Sequence, residues 1–194
     1  MGTQRLNSST IYRTKMKELK QLFFNEALRQ WHFEDLVKEA ELSRDRTNYF
    51  LRELIKEKLI TRVKPRGKMP HYIANRDLPK FRLEKRLFGL QLVEKTGLFE
   101  DLTTRDGIKT AILFGSFSRG DWSKSSDVDL FIFGDTSGFV KEKFEQKLKR
   151  PIQLFAYTNS KEIKEDLDPT VIPNLIKGFT IKDSIEPFEV RIHG

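Results

Sequence analysis

Apolar residues recur at Met16, Leu19, Leu22, Phe23, Ala27 and Leu28, steps of mostly three and four that gather them on one face of a helix over residues 14–30. A second short amphipathic stretch covers 33–40. A third begins at Leu42-Ser43, where Ser43 makes a good N-cap. In this third helix Thr47, Phe50, Leu51, Leu54 and Ile55 face inward, and Asp45, Asn48, Tyr49, Arg52 and Lys56 face outward, with Arg44 in the first turn. The period then shortens. Residues 59–64 and 71–74 read as strands around a Pro65-Arg66-Gly67-Lys68 turn, and helical spacing returns over 80–96. Residues 110–114 and the run through Phe133 are apolar without alternation, as in strands buried on both faces. Beyond them the pattern predicts a helix over 139–149, a strand over 151–158, a short helix over 170–177 and closing strands over 179–182 and 188–192. The whole is α+β. It divides into two small domains, 1–79 and 80–194, of which the second is a small α/β fold.

Two acidic residues break the apolar logic of the second domain. Asp127 and Asp129 sit in a run rich in Val, Leu, Ile and Phe, and residues two apart on a strand point to one face. Two carboxylates therefore converge. Paired anions at that spacing cost free energy unless a cation lies between them, and hard oxygen donors beside a phosphate suit Mg²⁺ or Mn²⁺. The preceding strand breaks at Gly115-Ser116, where glycine lets the backbone approach a ligand and exposed turn amides can hold a phosphate.

The stretch GSFSRGDWSKSSDVDLFIF resembles the active-site signature of the minimal nucleotidyltransferases of the DNA polymerase β superfamily, over roughly residues 81 to 185. Gly115, Ser116, Asp127 and Asp129 fall on its motif positions. The resemblance implies that Gly115 and Ser116 bind the triphosphate of ATP or another NTP, with Arg119 as a further phosphate contact. It implies that Asp127 and Asp129 hold metal and are catalytic, as a nucleoside monophosphate moves to a hydroxyl and pyrophosphate leaves. It also admits a protein acceptor, because some minimal nucleotidyltransferases act as antitoxins that adenylylate a HEPN-type ribonuclease toxin. One departure stands out. The family normally places a third carboxylate on a neighbouring strand, and in PIQLFAYT the corresponding place is taken by Gln153. An amide offers a carbonyl oxygen but neither a charge nor a base.

Charge separates the domains. Residues 1–80 carry 18 Lys+Arg against 10 Asp+Glu and the remainder 18 against 18, so the net +8 belongs to the first domain. A basic segment suggests nucleic acid or an anionic surface. No membrane-length apolar run or signal-peptide pattern is present, which leaves nucleic acid ahead and points to a cytoplasmic protein. With no cysteine there are neither disulfides nor thiolate metal sites. His32, His71 and His193 match no ligand spacing.

Helix, helix, helix and basic hairpin over about residues 14 to 75 resemble the winged helix-turn-helix domains of transcription regulators. The resemblance implies DNA contacts by Arg44, Asn48 and Arg52 on the third helix and by Arg66 and Lys68 on the wing. Two functional classes follow from the sequence. One is a DNA-docked, metal-dependent nucleotidyltransferase. The other is a non-catalytic regulator whose second domain senses nucleotide or mediates association, for instance as a homodimer.

Overall fold

A computed structural model of the chain describes residues 8–182, with side chains from Tyr12 onward except Arg13. The expected strand over 188–192 and His193 lie outside the described residues. The chain is mixed α+β and divides into two compact units between Arg82 and Leu83.

The first unit contains α1 (Ser8–Asn25), β1 (Trp31–His32), α2 (Phe33–Glu39), α3 (Arg44–Lys56), β2 (Ile60–Val63) and β3 (His71–Ala74). The strands pair antiparallel in the order β1-β3-β2. Ser43 caps α3 by accepting from the Arg46 N–H. Phe50, Leu51 and Leu54 are buried with Leu19, Phe23, Phe24, Trp31 and Leu36. Two expectations are corrected. The first helix ends at Asn25 rather than Gln30, and Leu28 is 77% exposed. Trp31, buried against Phe23 and paired across the sheet with Tyr72, demands an extended backbone that the helical spacing did not anticipate. Ile55, expected inward, is 37% exposed. At about 100° per residue it lies some 90° from the middle of the buried stripe, on its rim. The sheet also brings His32 and His71 into register, with ring centroids 6.2 Å apart.

Helix α4 (Pro79–Glu94) crosses the division between the units. The second unit continues with α5 (Leu98–Thr104), β4 (Ile108–Phe114), α6 (Gly115–Arg119), β5 (Val128–Gly134), α7 (Glu142–Leu148), β6 (Ile152–Tyr157), α8 (Ser160–Asp166), a 3₁₀ turn (Pro169–Val171), α9 (Ile172–Ile176) and β7 (Phe179–Lys182). The sheet order is β6-β5-β4-β7, with β5 and β6 parallel across the α7 connection and the other pairs antiparallel. Ile112, Phe114, Phe131 and Phe133 on one face pack with Ile163, Leu167 and Leu175 of the segment spanning α8 and α9. Neither α5 nor α8 was expected. The second carried a sequence signal, because Asn159 accepts from the Lys161 and Glu162 N–H groups while Glu162 reaches back to the Thr158 N–H, a capping arrangement spelled by Asn followed three residues later by Glu. Among the described residues no helix is long and apolar enough to cross a membrane.

Candidate functional site

β4 delivers the chain to Gly115 at φ +68°, a left-handed conformation that L side chains rarely adopt. A Cβ built there would fall inside the Asp129 carboxylate. Glycine is therefore required twice, by its backbone angle and by the acid beside it. The segment expected as a simple turn is the one-turn helix α6, and its Ser116 N–H donates to Asp129. Register explains the closeness, since Phe114 lies opposite Asp129 on β5.

The two aspartates are not equivalent. Asp127 precedes the first residue of β5 and is exposed, so it lies at the lip of the sheet rather than within a buried strand. Asp129 is half-buried. Burial pushes its carboxyl above the usual carboxylate range, the charge of Asp127 pushes it further, and Arg119 and the Ser116 N–H pull it partly back. Arg119, the last residue of α6, is exposed. Its Nε donates to Asp121 at 3.1 Å and its Nη1 to Asn174 of α9 at 3.4 Å. Asp121 and Asn174 were not expected at the site. Asp121, two residues from Arg119, was within reach of sequence reasoning, whereas nothing in the sequence links Asn174 to a residue 55 positions earlier.

Gln153 stands in register with Asp129 on the adjacent parallel strand and is exposed. Its amide thus flanks the acid on the face that carries Phe131 and Phe155. Among the described residues no group of three or more His, Cys, Asp or Glu could hold a metal ion. The donors present, Asp127, Asp129 and the Gln153 carbonyl, are hard oxygens. They fit a single Mg²⁺-like cation that takes one or two carboxylates and completes its shell with phosphate and water, and they fall short of a cage for two ions.

The back of the site is aromatic. Phe117 and Trp122 are fully buried and stacked, centroids 5.2 Å apart at 11°. Lys85 lies buried beneath Trp122, its Nζ 5.0 Å from the ring, and burial lowers its pKa to about 8. Ser118 donates to the Lys177 carbonyl, tying α6 to the segment after α9.

In the first unit Arg44, Asn48 and Arg52 on α3 and Arg66 and Lys68 in the β2–β3 turn are all exposed. Arg44 is committed to a neighbour, because its Nη1 donates to both oxygens of Glu34 on α2 at 2.5 and 2.6 Å. Gly67, at φ +70°, forms the tip of the turn between the two basic residues.

A nucleotidyltransferase domain model matches residues 96–190, which contain the Gly115-Ser116 turn, both aspartates and Gln153. Two proteins of Methanocaldococcus jannaschii, each named as a candidate protein adenylyltransferase, are similar to the chain. One is 33% identical over 95 residues, 48% of this chain and 89% of that relative, and the other 55% identical over 31 residues, 16% of this chain and 31% of that relative. The chain thus spans most of one curated relative and about a third of the other. With the site geometry and nearly the full length of one relative in agreement, the chain belongs to the nucleotidyltransferase domain family.

Proposed function

We propose that this chain is a divalent-cation-dependent nucleotidyltransferase that moves a nucleoside monophosphate from ATP or another NTP to a hydroxyl of a protein, and that its first unit is a winged helix-turn-helix that docks on DNA. The observation that carries the first part is the interlock of Gly115 with Asp129. A glycine at positive φ held against a half-buried acid, with a second acid two residues away, serves no packing purpose. The family generally uses an NTP substrate and a divalent metal. The names of the relatives support a protein acceptor, and a HEPN-type toxin is the candidate suggested by the sequence resemblance.

Each residue has a task in this reading. The backbone at Gly115 and Ser116 approaches the triphosphate without side-chain obstruction, and Arg119, steadied by Asp121 and Asn174, offers positive charge to phosphate oxygens. Asp127 and Asp129, with the Gln153 carbonyl alongside, would hold the cation. The bound cation would supply Lewis-acid polarisation of the phosphate oxygens. The acceptor oxygen attacks the α-phosphorus, the bond from that phosphorus to the bridging oxygen breaks, and pyrophosphate leaves. Gln153 cannot take the acceptor's proton, so that proton passes to solvent or to a group brought by the acceptor.

Gln153 also favours a second reading, a regulator whose second unit senses nucleotide without turnover or mediates association of two copies. Incubation of the chain with Mg²⁺, labelled ATP and proteins from a matched lysate separates the two. The transfer reading expects label on protein, stronger in Gln153→Asp, whose carboxylate beside Asp129 supplies a base. Nucleotide binding without label from either protein favours the sensor.

For the first unit, support comes from the order of α1, α2, α3 and the β2–β3 hairpin, the charge excess of residues 1–80, and the exposure of Asn48, Arg52, Arg66 and Lys68. A DNA-docked protein of this kind would work in the cytoplasm.

A further inference from the structure

Arg150 connects α7 to β6, and nothing in the chemistry above requires it. It is nevertheless half-buried, where desolvation draws its guanidinium below the usual range. One nitrogen, Nη1, donates to three carbonyls of a single loop: Ser123 at 2.6 Å, Lys124 at 2.8 Å and Ser126 at 3.1 Å. The guanidinium carbon also lies 5.4 Å from the ring centroids of both Phe117 and Trp122. The next residue continues the grip through the backbone, since the Pro151 carbonyl accepts from the Val128 N–H at 3.0 Å.

These contacts bracket Asp127. The side chain of Arg150 holds the loop up to Ser126, the carbonyl of Pro151 holds Val128, and the acid between them projects from a fixed backbone. Through Phe117 the same guanidinium abuts α6, whose Ser116 N–H donates to Asp129. Three carbonyl oxygens converging on one point repel one another unless a cation sits among them. The guanidinium does this through Nη1 while its plane lies against two aromatic rings, a contact that an ammonium, having no planar face, does not reproduce. A solvated surface arginine would need none of these contacts.

We propose that Arg150 is a positioning residue of the nucleotidyl-transfer site, fixing the loop 123–126 and α6 so that Asp127, Asp129 and the Ser116 N–H meet at one cation–phosphate position. The inference rests on the function proposed above.

The test uses the full chain and its Arg150→Ala and Arg150→Lys variants. Mn²⁺ with ATP serves as the binding probe, read by electron paramagnetic resonance, and amide hydrogen exchange is followed over residues 123–128. Wild type is expected to bind Mn²⁺ and ATP together and to protect the Ser126 and Val128 amides. Arg150→Ala is expected to exchange these amides faster and to bind roughly tenfold or more weakly, the usual cost of removing a group that orients a metal ligand. Arg150→Lys keeps the charge without the planar group that lies against Phe117 and Trp122, and is expected to show the same direction with a melting temperature close to wild type. If Arg150→Ala does not fold, Arg150→Lys decides alone. Wild-type binding and loop protection in the variants overturn the inference and leave the function standing. A wild type that binds no Mn²⁺ with ATP overturns both.

Discussion

In the first unit Arg44, Asn48, Arg52, Arg66 and Lys68 stand in solvent around an apolar core, while in the second Asp129, Lys85 and Arg150 are drawn wholly or partly into the interior. An exposed cation costs little and is readily tolerated, so its presence says little about what it does. A buried ionisable group is expensive unless something compensates it, and its surroundings therefore reveal what the site is built to hold. The carboxyl of Asp129 is pushed up by burial and by Asp127, and this tension is the one a bound cation would relieve. Arg44, by contrast, is paired through its Nη1 with Glu34 within its own unit.

The contrast between the units is tested most sharply at the two acids. Asp127→Asn with Asp129→Asn is expected to lower Mg²⁺-dependent ATP binding by about 100-fold or more, as loss of several kcal/mol of metal ligation implies. Calorimetry with and without Mg²⁺ checks this, and undiminished binding would remove the acids from the site.

A buried lysine offers a purely energetic test. Lys85 titrates at about 8 in the folded chain against an ordinary 10.5, so below pH 8 folding must carry a buried charge. Between those values the unfolded chain binds the extra proton, and stability rises with pH. A displacement of that size corresponds to at most about 3–4 kcal/mol, and to less where solvent reaches the amine. Lys85→Met is expected to be more stable than wild type by up to that amount at pH 7, with the difference shrinking toward pH 10. Denaturant melts across that range read it, and a difference independent of pH would mean that the amine is solvated.

Gly115→Ala sharpens the geometry. The positive φ and the collision with Asp129 are expected to cost about 1–3 kcal/mol of stability, together with nucleotide binding. Thermal melts and ATP titrations would contradict the interlock if the variant matched wild type in both.

The smallest effects belong to the first unit. Neutralising Arg66 and Lys68 is expected to lower the slope of log affinity for DNA against log salt by about 0.9 for each phosphate that is no longer neutralised. Glu34→Gln, which frees Arg44 from an exposed ion pair worth about 0–1 kcal/mol, is expected to strengthen DNA binding no more than a few-fold. Fluorescence anisotropy at several salt concentrations measures both. No binding at about 50 mM salt, where attraction to phosphates alone suffices, would make the unit a protein-contact module.

Much of this molecule was written locally. The N-cap at Ser43, the hairpin around Gly67 and the apolar runs of β4 and β5 follow from neighbouring residues, whereas the meeting of Gly115 with Asp129 depends on the β4–β5 register and was legible beforehand only through the family resemblance. Backbone conformation and side-chain period are properties of adjacent residues, and a short motif states them completely. What the sequence left open depends on contacts between distant positions. The end of α1 at Asn25 was decided by Trp31 pairing with Tyr72, the placing of Gln153 against Asp129 by the β5–β6 register, and the company of Arg119 by Asn174. The role proposed for Arg150 became visible only when its Nη1 was seen among the carbonyls of Ser123, Lys124 and Ser126. Sequence determined which residues carry charge and where the chain turns. Tertiary structure decided which charges are buried, because burial is set by whatever the rest of the fold brings to lie over them.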